Sequence, residues 1–65
     1  MQVKLNQHPH ELPEGASLAQ ALEAGGFQPP FAVAVNLQFV PRTQYAHTTL
    51  QAGDQVEVIS PITGG

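Results

Sequence analysis

The N-terminal residues alternate between apolar and polar side chains in two short blocks. Residues 1–5 read Met-Gln-Val-Lys-Leu, a period of two that is typical of a strand with one buried face. A turn at Asn6-Gln7 separates this block from a second strand, which is predicted over residues 8–12. Pro9 and Pro13 lack the amide hydrogen that a central strand must donate, so we expect the second strand at an edge of the sheet.

The next block changes to helical spacing. Apolar residues recur on one face across residues 18–24, which predicts a short helix. Ser17 and Gln20 have the spacing of a capping box, in which each side chain accepts a hydrogen bond from the other residue's backbone amide. Gly25-Gly26 follows at once, and a left-handed glycine commonly ends a helix. A helix this short persists only when it packs on a sheet.

Residues 31–35, Phe-Ala-Val-Ala-Val, predict a third strand that is apolar on both faces. Such a strand is either covered on both sides or offers one side to a partner. Ala32 and Ala34 lie on the side opposite the larger residues. The pattern leaves two interpretations of these alanines open, a partner-binding surface and ordinary strand positions.

The rest of the chain predicts two more strands. A fourth strand is expected at residues 38–40, followed by an irregular stretch with one helical turn around Gln44-Tyr45. Leu50 is a candidate core anchor. A Gly-Asp turn signal then precedes the last strand, residues 55–59. Its two valines face the core, which leaves Ile59 on the opposite side.

The order of these elements is strand, strand, helix, strand, strand, irregular stretch, strand. A helix crossing between two hairpin-like pairs predicts a β-grasp (ubiquitin-like) domain of the α+β class, with a small mixed sheet of about four to five strands. One helix covers one face of that sheet and leaves the other open to water or a partner. We assign residues 1–59 to this domain and residues 60–65 to a flexible, extended C-terminal tail, and we expect a monomer when the protein is free.

Composition narrows the class of function. The net charge is −3 with only two basic residues, Lys4 and Arg42, which argues against binding to nucleic acid. The chain has no cysteine, so disulfides and cysteine-ligated zinc are excluded. No apolar run approaches the roughly 20 residues of a membrane span, and the first residues do not resemble a secretory signal. We therefore expect a soluble, cytoplasmic protein.

The side chains offer no catalytic or metal site. His8 and His10 point the same way on a strand but lack a third ligand, so surface positions are the expected interpretation. Ser17 is used by the helix cap, Ser60 lies in the tail, and neither has the turn or glycine context of a nucleophile. A chain of 65 residues also leaves little room for an enclosed pocket. We expect that the protein is not an enzyme and binds no metal or cofactor itself.

The C-terminal stretch Ser-Pro-Ile-Thr-Gly-Gly is the remaining candidate. Fully extended, residues 60–65 reach about 20 Å. Gly64 and Gly65 carry no Cβ, so this end can pass through a narrow channel. Such a tail suits a protein whose reactive group is its own terminal carboxylate, while a frayed terminus is the plain alternative.

These features also resemble a known family. The segment FAVAVNLQFVPRTQYAHTTLQAGDQVEVISPITGG resembles the ThiS family, the sulfur carrier proteins of thiamin thiazole biosynthesis. The resemblance includes the chain's size, the "VAVN…VPR" strand pair, "L-x-x-GD-x-VEV" and the terminal Gly-Gly. Asn36-Leu37 stands where the family often has Asn-Gly, so we expect this turn to differ from a tight Asn-Gly turn. Thr63 stands where many members carry a third glycine.

The resemblance implies a mechanism centred on Gly65, with Gly64 as its slim neighbour. In this family, a ThiF-type partner uses ATP and Mg²⁺ to adenylate the terminal carboxylate. Sulfur from a cysteine-desulfurase pathway then replaces AMP and leaves a thiocarboxylate. That group donates its sulfur to a ThiG-type partner, thiazole synthase. The ATP and Mg²⁺ are used by the activating partner and not held by the carrier.

We place the partner contacts on the open sheet face and at the root of the tail. The predicted contact residues are Ala32, Ala34, Phe39, Arg42, Ile59 and Ile62. Three other functions are consistent with the residues: a MoaD-like carrier for molybdopterin synthesis, a ubiquitin-like modifier joined to lysines through Gly65, and a β-grasp interaction module with an inert tail. The "VAVN…VPR" region favours ThiS over MoaD.

Overall fold

The computed structural model of the protein describes residues 1–27 and 30–59. These residues form one five-stranded sheet, one α-helix and one 3-10 helix. In chain order the elements are β1 (Gln2–Leu5), β2 (His8–Glu11), α1 (Leu18–Gly25), β3 (Ala32–Val35), β4 (Gln38–Val40), the 3-10 helix (Arg42–His47) and β5 (Gln55–Ile59). The strand order is β2-β1-β5-β3-β4, in which β1 and β5 are parallel and the other pairs antiparallel. The predicted mixed sheet with one main helix, and the edge position of β2, are confirmed.

The core lies between α1 and one face of the sheet. The strands contribute residues that alternate with exposed neighbours, as the period of two predicts. The buried apolar residues are Val3, Leu5, Leu12, Ala16, Leu18, Ala21, Leu22, Val33, Leu50, Val56 and Val58. Leu50 is 2% exposed, which confirms it as a core anchor outside the regular elements.

Both ends of α1 follow the sequence signals. Gln20 N–H donates to Ser17 Oγ at 3.2 Å, and Ser17 N–H donates to Gln20 Oε1 at 2.8 Å. This reciprocal pair is the predicted capping box. The helix ends one residue later than predicted, at Gly25, and Gly26 follows in the left-handed conformation with φ of 72°.

The irregular stretch is more ordered than predicted. In place of one helical turn, six residues form the 3-10 helix Arg42–His47. The backbone that follows it is tied to the start of α1, because Leu18 N–H donates to Thr48 O at 2.7 Å and Leu50 N–H donates to Ala16 O at 2.9 Å. Tyr45 packs against the core, so the 3-10 helix lies on the helix side of the sheet.

The turn between β3 and β4 corrects one prediction. Asn36 and Leu37 have φ of 50° and 71°, the same values as Asn6 and Gln7 in the β1–β2 turn. Positive φ at both positions of a two-residue hairpin loop is the geometry that Asn-Gly favours. The expectation that Asn36-Leu37 would differ from a tight Asn-Gly turn is therefore wrong. Two hydrogen bonds between Asn36 and Gln55 of β5 hold the turn, and with it Leu37 at a positive φ that is unfavourable for a residue with a side chain.

Candidate functional site

The strand that leads into the tail is the central strand of the sheet. β5 pairs with β1 on one side and with β3 on the other. Its last residue, Ile59, lies opposite Ala32 at the start of β3. A central strand is hydrogen-bonded along both edges and opens only with the sheet. On the β3 side this pairing continues to Ile59, so residues 60–65 continue from the end of a sheet strand. Ile62, Gly64 and Gly65 themselves lie outside the described residues.

Asn6 completes the hydrogen bonding of β5 beside this point. The pairing of β1 with β5 ends at Leu5 and Val56. Beyond it the Asn6 side chain replaces a strand, because Asn6 Oδ1 accepts from Val58 N–H at 2.8 Å and Asn6 Nδ2 donates to Val58 O at 3.3 Å. Sequence reasoning missed this positioning role. The available signal was an asparagine in the first position of a two-residue loop.

Asn36 plays the matching part at the other end of β5. Asn36 Oδ1 accepts from Gln55 N–H at 3.0 Å, and the backbone N–H of Asn36 donates to Gln55 O at 2.8 Å. Asn36 Nδ2 also donates to Asp54 Oδ1 at 3.1 Å. Two hairpin asparagines thus hold the central strand, one at each end.

The sheet face opposite α1 carries an apolar patch, which we define as Ala32, Ala34, Phe39 and Ile59. Strand register brings these residues together, because Ile59 lies opposite Ala32 and Phe39 lies opposite Ala34. Phe39 is 69% exposed and Ile59 is 60% exposed. The structure therefore places four of the predicted contact residues on one open face. Exposed apolar clusters of this kind commonly mark interaction sites.

Charged residues border the apolar patch. Glu57 is exposed and lies opposite Ala34, two residues before Ile59 on β5. Lys4 shares the open face but lies opposite Gln55, at the start of β5. The charged side chain nearest to the patch is therefore that of Glu57, an acid. A partner surface that is apolar with a basic group would complement it.

Arg42 is separated from the apolar patch. It begins the 3-10 helix on the helix side of the sheet and is exposed. With Pro30, Phe31 and Tyr45 it lines a depression of about 260 Å³. The structure therefore divides the predicted contact residues between two surfaces, and a partner contact at Arg42 stays a prediction.

Two further observations concern the described residues alone. Across residues 1–27 and 30–59, no three side chains among His, Asp and Glu gather closely enough to hold a metal ion. Neither helix in this part of the chain has the length and apolarity needed to cross a membrane.

Comparison with known proteins by sequence gives a consistent result. The ThiS family model matches residues 3–65. The sulfur carrier protein ThiS of Escherichia coli strain K12 is 35% identical over 66 aligned residues, which cover the whole of both chains. A thiazole synthase of Magnetococcus marinus is 39% identical over 66 aligned residues, which cover all of this chain and 20% of that protein. The chain therefore spans one fifth of the synthase's length.

Solved structures show the same fold. The crystal structure of ThiS from Geobacter metallireducens matches with a TM-score of 0.82 and 25% identity over the whole of both chains. An NMR structure of a thiamine biosynthesis protein from the same organism matches with a TM-score of 0.79 and 25% identity, over all of this chain and 88% of that one. The β-grasp prediction is confirmed.

Proposed function

The chain belongs to the ThiS family, and from that premise we propose that it is a sulfur carrier protein of thiamin biosynthesis. The sulfur is carried on the carboxylate of Gly65. The observation that carries this proposal is that the family match extends through Gly64 to Gly65. A relative of equal length, ThiS of Escherichia coli, is itself a sulfur carrier protein.

The chemistry begins with activation of a poor electrophile. A carboxylate resists nucleophilic attack because its charge is delocalised and oxide is a bad leaving group. An oxygen of the Gly65 carboxylate attacks the α-phosphorus of ATP in a ThiF-type partner and releases pyrophosphate. Magnesium in that partner neutralises the phosphate charge. The product is an acyl-adenylate whose leaving group is AMP.

Sulfur then replaces AMP. A persulfide from a cysteine-desulfurase pathway attacks the acyl carbon through its terminal sulfur, and AMP leaves. The resulting acyl disulfide is cleaved by a thiol, which supplies the two electrons and leaves a thiocarboxylate on Gly65. The thiocarboxylate passes its sulfur to thiazole synthase. These steps take place in partner sites that exclude water, since water would hydrolyse the acyl-adenylate.

The domain contributes placement of the tail. The end of β5 is held by pairing with β3 up to Ile59 and by the Asn6 side chain at Val58, so the tail starts from a defined position. Ile59 and the rest of the apolar patch lie beside that position and form the docking surface for the partners. The binding energy gained when a partner docks on the apolar patch then helps to insert the glycine-ended tail into a narrow channel of that partner.

A ThiG-type synthase is the partner with the most support. The Magnetococcus thiazole synthase contains a segment similar to this whole chain, which makes up a fifth of its length. A carrier-like segment and the rest of that synthase thus occur in one polypeptide. The proposed chemistry also needs an ATP-dependent activating enzyme and a persulfide source, and we assign these roles to a ThiF-type enzyme and a cysteine-desulfurase pathway. Because ATP and cysteine-derived sulfur are intracellular, we place this activity in the cytoplasm.

Intact-mass analysis tests the proposal. The chain is incubated with a cognate ThiF-type enzyme, ATP and Mg²⁺, first without and then with a sulfur source. We expect a mass increase of one adenylyl group, then replacement of one oxygen by sulfur. Failure to form the acyl-adenylate would contradict the carrier function.

The variant Gly65→Ala tests the channel argument separately. Its added Cβ should sharply reduce adenylation and leave thermal unfolding unchanged. Normal adenylation of this variant would show that the partner's channel does not require a terminal residue without a side chain.

A further inference from the structure

A second surface lies on the helix side of the sheet. It is the depression of about 260 Å³ lined by Pro30, Phe31, Arg42 and Tyr45, which we call the Arg42 depression. The rings of Phe31 and Tyr45 stack with centroids 6.1 Å apart and an interplanar angle of 15°. Phe27 meets Phe31 edge to face at 6.4 Å. One wall of the depression is therefore aromatic, and such a wall suits an apolar side chain.

The fold holds the lining residues of the Arg42 depression together. Phe31 and Tyr45 both pack against the core, which fixes the positions of the two rings. Arg42 and Tyr45 are three residues apart in the 3-10 helix, where side chains at that spacing lie one above the other. The guanidinium therefore extends from the same face of this helix as the aromatic wall.

Arg42 adds a positive charge to this apolar surface. It is one of two basic side chains in a chain of net charge −3. Among residues 1–27 and 30–59, the ion pair found joins the N-terminal ammonium to Glu11, and no described carboxylate pairs with Arg42. A guanidinium presents planar donors that match a carboxylate. The depression thus complements a group that combines an apolar side chain with a nearby carboxylate.

The size of the depression and its exposed rim favour a segment of another protein over a small molecule. Pockets for small-molecule ligands commonly enclose about 300–1,000 Å³. The Arg42 depression is smaller, at about 260 Å³, and Pro30 and Arg42 on its rim are exposed. Tyrosine and arginine are also among the residues that are enriched at protein–protein interfaces.

The Arg42 depression and the apolar patch lie at the same end of the sheet. Ile59 lies opposite Ala32, and Phe31 is the residue before Ala32. β4 runs antiparallel to β3 and ends at Val40, so Arg42 follows it at this same end. The patch is on the open face and the depression is on the helix side. One partner that wraps around this end of the sheet therefore contacts both.

We propose that the Arg42 depression is a second docking site for the ThiG-type synthase that contacts the apolar patch. A segment of the synthase places an apolar side chain against Phe31 and Tyr45, and a neighbouring carboxylate of that segment binds the Arg42 guanidinium. This inference rests on the proposed function, which names the synthase as a partner.

The second site sets the orientation of the synthase on the domain. Glu57 on the open face is acidic, and Arg42 on the helix side is basic. A synthase surface with a basic group at Glu57 and an acidic group at Arg42 matches both. A synthase docked the other way round would bring like charges together, which is unfavourable.

Isothermal titration calorimetry of the full chain with the purified ThiG-type synthase tests this site. Arg42→Gln should raise the Kd by about 5- to 15-fold, because the loss lies between that of an exposed ion pair and that of a sheltered hydrogen bond to a charged group. The Kd of this variant should also depend less on salt than that of the unaltered chain. The matched control is Lys4→Gln, which removes the other basic side chain, opposite Gln55 on the open face. Its Kd should change by less than about twofold.

NMR of the labelled chain locates the contact. The ring signals of Phe31 and Tyr45 should shift when the synthase is added to the unaltered chain. Backbone amide spectra show that each variant is folded.

Three results would overturn the inference. One is a Kd for Arg42→Gln within about twofold of that of the unaltered chain. Another is an equal loss in Lys4→Gln, which would reflect net charge and not the depression. The third is a dimer of the free chain that dissociates in Arg42→Gln, which would assign the depression to a second copy. If the unaltered chain does not bind the synthase, the inference also fails, while adenylation by the ThiF-type enzyme still tests the carrier function separately.

Discussion

Truncation of Ile59 to alanine is the sharpest test of the apolar patch as a docking surface. Ile59 is the last residue of β5 and lies opposite Ala32, next to the tail. It is 60% exposed, so most of its side chain makes no contact within the described residues. The change should therefore leave the fold stable and affect mainly the binding of partners.

The size of the effect follows from that exposed fraction. Complete burial of an isoleucine side chain contributes about 1.5–3 kcal/mol. The 60% that is still open to water leaves about 1–2 kcal/mol to be gained on docking. Ile59→Ala should then raise the Kd for a ThiF-type or ThiG-type partner by about 5- to 30-fold. Phe39→Ala should give a similar loss, because Phe39 is 69% exposed on the same face.

Isothermal titration calorimetry with the purified partner measures this change. The control variant is Leu37→Ala, since Leu37 is 86% exposed and apolar but lies in the β3–β4 loop outside the patch. Leu37→Ala should bind within about twofold of the unaltered chain, a change of about 0.4 kcal/mol. Thermal unfolding of all variants confirms that they remain folded.

Two outcomes would refute the reasoning. If neither Ile59→Ala nor Phe39→Ala changes the Kd, the open face is not where the partner docks. If Leu37→Ala weakens binding as much as they do, the loss reflects general surface hydrophobicity and not the patch.

Three further predictions concern the stability of the domain. Leu37→Gly should raise the free energy of unfolding by about 0.5–1 kcal/mol and the Tm by about 2–8 °C, because relief of left-handed strain exceeds the added freedom of the unfolded chain. Leu37→Ala keeps a Cβ, so an equal gain there would disprove the strain argument. Asn6→Gly keeps the turn backbone but removes two bonds to Val58. Asn6→Gly should lower the free energy of unfolding by about 1–3 kcal/mol and speed hydrogen exchange of the Val58 amide. The control is Asn36→Gly, which should not speed exchange of that amide. Gly25→Ala should destabilise the domain by about 1–2 kcal/mol in chemical denaturation, because its added Cβ would lie 2.5 Å from Phe27 Cε2. Unchanged stability would mean that the Phe27 ring moves aside freely.

Local sequence signals were sufficient for most of the secondary structure. The capping box at Ser17 and Gln20 and the glycines after it placed α1 to within one residue. Alternating residues after the Gly-Asp turn gave the bounds of β5, Gln55–Ile59, as the structure has them. These signals work because capping, alternation and turn preferences act between residues a few positions apart.

The Asn36-Leu37 turn shows where local preference fails. Glycine is favoured over leucine at positive φ by about 1 kcal/mol, so the sequence indicated a different turn. The two hydrogen bonds between Asn36 and Gln55, 19 residues apart, outweigh that preference. The role of Asn6 was missed for the same reason, since its partner Val58 lies 52 residues further along the chain.

By itself, the sequence determined the elements of the domain, its resemblance to the ThiS family and the Gly-Gly end as the candidate reactive group. Only the tertiary structure decided which side chains meet. The strand order and register unite Ala32, Ala34, Phe39 and Ile59 beside the tail, and the same register separates Arg42 onto the helix side. Pairing between distant strands depends on the packing of the whole sheet against α1, which no short stretch of residues specifies.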